Sequence, residues 1–352
     1  AYGHGAVPVS RALADLGAEY LAVSNLEEAV QIRRGEVRLP ILILGYTPAE
    51  YAANMIFLDI TQEVHSLEYA RELNEALAGT NYILNVHLKL DTGMTRIGFF
   101  AYDDERTLDE LRQVAQLPHL HIEGVFMHFC VADSRAEADV SFTKLQYKRF
   151  MDMLSAMAGV GIRPEIRHCC NSGATILYPE FALDMVRPGI ITYGNAPSDE
   201  LEGALSLRPM MSLHSMIAQV RTVPAGTDIS YGRLYRTKEE TRVAVLPIGY
   251  ADGLSRLLTG KASFYLQGHQ VPVIGRICMD MCMIDVSGVP EAKPGDVVTI
   301  FGYDDDGTLL PCERLARAQG TINYELLCQI SKRIPRICHR GAETSQILQY
   351  IV

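Results

Sequence analysis

No apolar stretch in the 352-residue sequence reaches the roughly 18 residues that a membrane-crossing helix needs. The opening AYGHGAVPVS has neither the basic start nor the apolar run of a secretory signal. Positive charge is short as well, with 32 Lys and Arg against 42 Asp and Glu and a formal net charge of −10. That balance argues against a nucleic-acid-binding face and against contact with an anionic membrane surface. No G-x-G-x-x-G follows any strand-like run, which removes the usual dinucleotide fingerprint. The eight cysteines include no C-x-x-C pair, and several sit in apolar runs such as ELLCQIS. Reduced, mostly buried thiols in a cytoplasmic protein are expected rather than a disulfide framework. A membrane tether supplied by residues ahead of Ala1 stays open.

What is present is a regular alternation up to about residue 200. SRALADLGA, NLEEAVQIRRG, PAEYAANMI, SLEYARELNEALAG, DDERTLDELRQVAQ and a long stretch from Arg135 to Ala158 read as helices. Ser24-Asn25-Leu26-Glu27 reads as a capping box at the start of the second of these. Between them lie strand-like runs: YLAVS, PILILG, FLDI, YILNVHLKLD, HIEGVFMHF, PEIRHCC and LDMVRPG, near 20, 40, 57, 83, 122, 166 and 184. Strands alternating with helices imply a parallel sheet with crossover helices. Seven strands are one short of a (β/α)8 barrel. AYGHG is a loop with no strand ahead of it, so a first strand directly before Ala1 is the simplest repair. Past residue 205 the texture changes to strand-like runs separated by PAGT, LQGH, KPGD and DDDG turns, a mostly antiparallel β-domain. The expected organisation is an α/β TIM-like (β/α)8 barrel over 1–205, followed by a C-terminal β-domain over 206–352.

In such a barrel, chemistry sits on the loops after the strands. The polar clusters fall there: Tyr2 and His4, Lys89 to Arg96, His128, His168 to Ser172, and Arg187 to Ile190. The last two loops carry Asn171-Ser172-Gly173 and Arg187-Pro188-Gly189-Ile190, where a hydroxyl, bare backbone N–H groups and a helix start form an anion cradle. A phosphate-bearing ligand is expected. His168-Cys169-Cys170 lacks partners at metal-ligand spacing, so no metal site is expected.

AYGHG, HLKLDTGMTRIGF, GVFMHF, HCCNSGA, DMVRPGIITYGNAPS, ISYG, IGYADG, GRICMDM and INYE, in this order, resemble the alanine racemases, fold-type III enzymes that use pyridoxal 5′-phosphate (PLP). The resemblance runs from residue 1 to about 340. It implies a lysine just ahead of AYGHG, outside this sequence, that forms the Schiff base with PLP and serves as one of two catalytic bases. Tyr231 matches the second base, a tyrosine that faces the substrate Cα from the neighbouring protomer, with His128 and Arg187 assisting it. Arg187 matches the residue facing the pyridine nitrogen, with His168 behind it. Tyr2, Ser172, Gly189, Ile190 and Tyr324 match phosphate ligands. Lys89 matches a carbamylated lysine that orients Arg96, the residue holding the phenolic oxygen and the substrate carboxylate. Met279 matches the position whose N–H receives that carboxylate, and Tyr250 a residue of the active-site entrance.

The resemblance therefore implies interconversion of L- and D-alanine by a head-to-tail homodimer with shared sites, supplying D-alanine for peptidoglycan. Two other functions stay open. One is the serine racemase branch related to vancomycin resistance, whose racemase domain follows a membrane-embedded domain. Tyr324 fits the alanine enzymes, whereas Met281 stands where they usually carry glutamine. The other is a non-catalytic PLP-binding barrel, against which the residues past 206 count.

Overall fold

The structure, a computed structural model, describes residues 1–102, 104–341 and 343–349. Residue 103 of the first expected helix past Arg96, and residues 342 and 350–352 of the expected β-domain, lie outside that set. The chain divides into two compact units. The first is Ala6–Thr192 with Ala196–Leu207 and Ala1; the second is Arg208–Val352 with Tyr2–Gly5 and Tyr193–Asn195.

In the first unit helices and strands alternate: α1 Ala6–Asp15, β1 Leu21–Val23, α2 Leu26–Arg34, β2 Ile41–Ile43, α3 Ala52–Phe57, β3 Ile60–Val64 and α4 Leu67–Ala76. Then come β4 Leu84–Asp91, β5 Phe99–Phe100, α5 Asp104–Ala115, β6 Leu120–Phe126, α6 Glu137–Gly159, β7 Ile166–His168 and α7 Ser172–Leu177. The strands pair in parallel in the order β1-β2-β3-β4-β6-β7, with β5 beside β4, a curled parallel sheet of half-barrel form clothed by helices. The α/β class expected from the alternation is the one observed.

Three local expectations shift. FLDI is not a strand: Phe57 ends α3 and is almost fully exposed, and the strand is the wholly buried ITQEV that follows. The seventh strand near 184 contracts to one parallel bridge between His168 and Met185, because Pro188 and Gly189 break the run that would extend it. The cap of α2 is Asn25, whose side chain accepts from Glu28 N–H at 3.0 Å while the Glu28 carboxylate accepts from Ser24 N–H at 2.8 Å. The cap is thus set one residue later than the sequence pattern suggested, and the Glu28 carboxylate reaches past it to the residue before.

The second unit is antiparallel. β9 Gln219–Val223, β12 Thr241–Leu246 and β15 Cys282–Asp285 form one sheet in the order β15-β12-β9. β14 His269–Pro272, β13 Ser263–Leu266, β16 Val297–Tyr303 and β17 Leu309–Leu310 form another, with β8 Leu213–Met216 also on β16. Two hairpins, β10 Asp228–Ile229 with β11 Tyr235–Arg236 and β18 Arg336–Arg340 with β19 Glu343–Leu348, complete the sheet structure. Helices α8 Cys312–Gln319 and α9 Asn323–Gln329 match the two expected from CERLARAQG and NYELLCQIS. Tyr2–Gly5 joins this unit because Arg336 Nε donates to the Gly3 carbonyl at 3.0 Å and Gly3 packs on the Leu327 carbonyl. A Cβ on Gly3 would lie 2.3 Å from that oxygen, so only glycine fits there.

Among the described residues no helix is long and apolar enough to cross a membrane. All eight cysteines are free thiols.

Candidate active site

β4 alternates with period two. Leu84, Val86, Leu88 and Leu90 enter the core beneath the helices, which sends His87 and Lys89 to the inner face of the sheet. Next door, Val125 and Met127 join the same core, leaving Phe126 and His128 on the inner face with Lys89. The Lys89 ammonium stands 4.9 Å from the centre of the Phe126 ring. Gly124 is what makes room for His87, since a Cβ there would be 2.5 Å from the imidazole.

Past β4 the chain turns on Asp91. Its Oδ1 accepts from the N–H groups of Gly93, Met94 and Thr95 at 2.9, 3.0 and 3.1 Å. Thr95 takes a left-handed φ of 57°, and the turn delivers Arg96.

Arg187 follows the Met185 bridge. Its Nη1 donates to His168 Nδ1 at 2.6 Å, and its Nη2 donates to the carbonyls of Met127 at 2.7 Å and Cys169 at 3.2 Å. Nη2 is also 3.5 Å from His128 Nδ1. Because Arg187 holds one nitrogen of His168 and His87 the other, that histidine has no electron pair to offer a metal. The loops beside Arg187 are tied together by Gly189 N–H donating to Ser172 Oγ at 2.9 Å. Asn171 caps α7 through Ala174 N–H at 3.0 Å and donates to the Phe129 carbonyl at 3.1 Å. Ile190 is fully buried at the start of a short 3-10 turn.

The electrostatics of this inner face are unusual. Burial first, then Arg187 and Arg96, bring Lys89 down to about 7, with Asp91 and Glu63 pulling the other way. Burial first, then Arg187, Lys89 and Arg96, brings His128 down to about 2, so it is a neutral imidazole at physiological pH. Burial lowers Arg187 to about 10, which leaves it charged. Of the nearby carboxylates, Asp91 is engaged by three amides and Glu63 by His65 Nδ1 at 2.9 Å through Oε1, while Glu63 Oε2 is buried without a hydrogen-bond partner. Arg187 is thus a buried cation on this face, beside a Lys89 that its surroundings push toward the neutral form, and an anion placed there would be favoured.

This charge has a measurable consequence. The folded value of Lys89 lies below 10.5, so between about pH 7 and 10.5 the unfolded chain binds the extra proton and stability rises with pH. One such group contributes a slope of at most about 1.4 kcal/mol per pH unit. The melting temperature of ligand-free protein is expected to climb from about pH 7 to about pH 9.5, and Lys89→Met is expected to flatten the climb. An unchanged slope in the variant would assign the effect elsewhere.

The remaining sequence candidates lie in the second unit. Tyr2, with φ of 42°, sits edge-on to Tyr193 at 5.2 Å and to Tyr324 at 5.7 Å. Burial, then Cys328, raises its hydroxyl pKa, so it is a donor at neutral pH. Tyr231 is 70% exposed, on a loop where Ser230, Gly232 and Arg233 all take positive φ. That loop is pinned by Ser230 Oγ donating to the Arg276 carbonyl at 2.7 Å. Tyr250 and Ala251 N–H donate to the carbonyls of Cys278 and Met279, both at 3.0 Å, so Tyr250, Met279 and the Tyr231 loop share one neighbourhood. Asp280 holds the turn by an ion pair with Arg333 at 2.8 Å.

Sequence reasoning missed His87, Glu123 and Tyr20. His87 Nδ1 lies 2.9 Å from His168 Nε2, and His87 Nε2 lies 3.0 Å from Glu123 Oε2, which Tyr20 also reaches at 3.0 Å. The signal was available: His87 lies two residues before Lys89 on a strand and therefore shares its face.

A curled parallel sheet of half-barrel form clothed by helices, with a cationic inner face at its strand ends, and a separate antiparallel β-domain later in the chain define a two-part α/β protein. Family comparison is specific. Residues 1–197 match the alanine racemase N-terminal domain and residues 210–338 the alanine racemase C-terminal domain. The chain belongs to the alanine racemase family. It is 47% identical to the alanine racemase of Desulfovibrio desulfuricans over 96% of this chain and 88% of that protein. It is 42% identical to that of Clostridium tetani over all of this chain and 90% of the relative. Among solved structures, the Bacillus anthracis alanine racemase with bound L-Ala-P superposes with a TM-score of 0.93 at 35% identity, covering 99% of this chain and 88% of that one.

Proposed function

We propose that this protein interconverts L- and D-alanine with PLP as cofactor, as a cytoplasmic enzyme that supplies D-alanine to peptidoglycan. The observation that carries the reading is the cationic inner face, on which burial together with Arg187 and Arg96 lowers the proton affinity of Lys89 and keeps His128 neutral, while Arg187 itself stays charged. PLP is anionic at its phosphate and phenolic oxygen, and an alanine carboxylate adds a third negative group, so the residues present fit the cofactor.

Bound PLP supplies the electron sink that makes the α-proton of an amino acid removable. Arg187 would hold the pyridine nitrogen and keep its own proton, because a guanidinium is a poor acid. Ser172, Gly189 and Ile190 hold the phosphate, with Tyr2 and Tyr324 carried over from the family for the same group. Lys89, whose proton affinity burial, Arg187 and Arg96 lower to about 7, is the amine whose neutral form would add CO₂ and release a proton to solvent, and the resulting carbamate would orient Arg96 toward the phenolic oxygen and the substrate carboxylate. His168 steadies Arg187. Tyr231 moves a proton at the substrate Cα of the partner protomer, the Met279 N–H receives the carboxylate, and Tyr250 lines the entrance. A head-to-tail homodimer is accordingly proposed, and the exposure of Tyr231, Tyr250 and Met279 supports it.

The test is kcat/KM of the full gene product for L-alanine against L-serine, with PLP binding followed by a visible band that borohydride bleaches. Alanine is expected to be the better substrate. Preference for serine of about tenfold or more would move the protein to the serine branch, since one hydroxyl commonly separates substrates by about that much. PLP bound without racemisation would indicate a non-catalytic barrel.

A further inference from the structure

We propose that Glu123 and His87 are positioning residues for Arg187, joined to it through His168 in a chain of fixed polarity that ends on a carboxylate. For its effect on the reaction this rests on the cofactor reading above; for its hydrogen-bond polarity it does not.

The polarity follows from one group. A guanidinium only donates, so His168 Nδ1, 2.6 Å from Arg187 Nη1, presents its lone pair. The proton of His168 is then on Nε2, which donates across 2.9 Å to His87 Nδ1. His87 in turn carries its proton on Nε2 and donates across 3.0 Å to Glu123 Oε2. A protonated imidazole at either position would set two donors against each other, so both rings are neutral and the run is Arg187 to His168 to His87 to Glu123.

The packing holds this run in place. His87 and His168 are fully buried. Phe126 lies parallel to the His168 ring at 4.9 Å and beneath the Arg187 guanidinium at 5.3 Å. The missing side chain of Gly124 is the space His87 occupies. Glu123 Oε2 also lies 3.0 Å from the Tyr20 hydroxyl and 3.2 Å from Thr61 Oγ1. The His87 bond first, with help from Tyr20 and Thr61, holds its carboxyl below the usual range despite partial burial, so the chain ends on an anion.

No carboxylate pairs directly with Arg187 among the described residues, and its protein partners there are carbonyls and imidazoles. The counter-charge that the sequence provides arrives two imidazoles away. It polarises the relay, makes His168 Nδ1 a stronger acceptor, and so keeps both the aim and the proton of the guanidinium. Under the cofactor reading, a looser Arg187 proton lets the pyridine nitrogen gain one. The substrate amino group then passes more often to the cofactor, leaving pyruvate in place of racemised alanine.

The experiment labels the imidazoles with ¹⁵N and compares the parent protein, Glu123→Gln and Glu123→Leu. In the parent, His87 and His168 are expected to show bare Nδ1 and protonated Nε2 whether or not PLP is added. Glu123→Gln keeps an acceptor oxygen without the charge and covers the case in which Glu123→Leu does not fold. In both variants the His168 Nδ1 resonance is expected to shift toward that of a weaker hydrogen bond. In the full gene product, the ratio of pyruvate formed to alanine racemised is expected to rise by about tenfold, with KM little changed. A proton on Nδ1 of either ring, or a His168 resonance and a pyruvate ratio unmoved in Glu123→Gln, would overturn the proposal. The expected resonances in a protein that neither binds PLP nor racemises alanine would leave the chain standing and remove the cofactor reading instead.

Discussion

Replacing Tyr231 by phenylalanine is expected to lower kcat for racemisation by about 10²–10⁴, the usual contribution of a positioned general base, with almost no change in melting temperature. The second half follows from exposure. Within its own subunit the ring is 70% exposed, so the substitution removes little packing inside the chain, and such changes usually shift the stability of the subunit by no more than about 0.5 kcal/mol. The first half follows from chemistry. Two bases on opposite faces of Cα are needed for inversion, so removing one leaves exchange of the α-proton with solvent for one enantiomer but not its inversion. Deuterium uptake from D₂O, measured beside optical rotation, separates these events. Racemisation within about threefold of the parent would take Tyr231 out of the reaction.

Arg187→Leu is expected to have the opposite profile, with large effects on both stability and activity. The substitution strands the carbonyls of Met127 and Cys169 and His168 Nδ1. Orphaned buried acceptors cost about 1–3 kcal/mol each and are not additive, so a loss of about 3 kcal/mol is expected in thermal or denaturant melts. It also removes the largest charge acting on Lys89 and His128, so both recover proton affinity and the pH window of the Lys89 effect moves upward. If Arg187 is the donor at the pyridine nitrogen, as proposed, its loss is expected to lower kcat by about 10² or more. A variant as active as the parent would refute that role.

The two variants together test the shared site. Under the proposal that Arg187 acts in its own protomer and Tyr231 in its partner's, a mixed dimer of Tyr231→Phe and Arg187→Leu contains one site with both residues intact. Statistical exchange at equal concentrations is expected to restore about a quarter of parental activity. No recovery on demonstrated subunit exchange would place Tyr231 and Arg187 in the same protomer's site.

Much of this was legible in the chain. The alternation of helix and strand periods marks the α/β class, and turn chemistry at PAGT, KPGD and DDDG marks the change to antiparallel sheets near residue 206. Lys89, Arg96, His128, Arg187 and Ser172 were candidates because they fall at strand ends, where a solvated charge is the plain alternative, and their separate roles came only from the family resemblance. Local spacing failed where neighbours decide. FLDI and ITQEV are both apolar enough for a strand, and only pairing of Ile60 with Ile41 and of Gln62 with Val86 selects the second. Asn25 rather than Ser24 caps α2 because the helix begins at Leu26, one residue from where either pattern could start it.

The sequence by itself determined the class of fold, because hydrophobic period and turn residues act over a few positions, and its motifs in their order carried the resemblance to the family. Only the tertiary structure decided that His87 and Glu123, 36 residues apart, connect with His168 and Arg187. It also decided that Lys89 is a weak base, since desolvation and the field of two distant guanidinium groups set that property. Both depend on which side chains strand pairing brings to one face, and no local pattern encodes a proton affinity that distant charges impose.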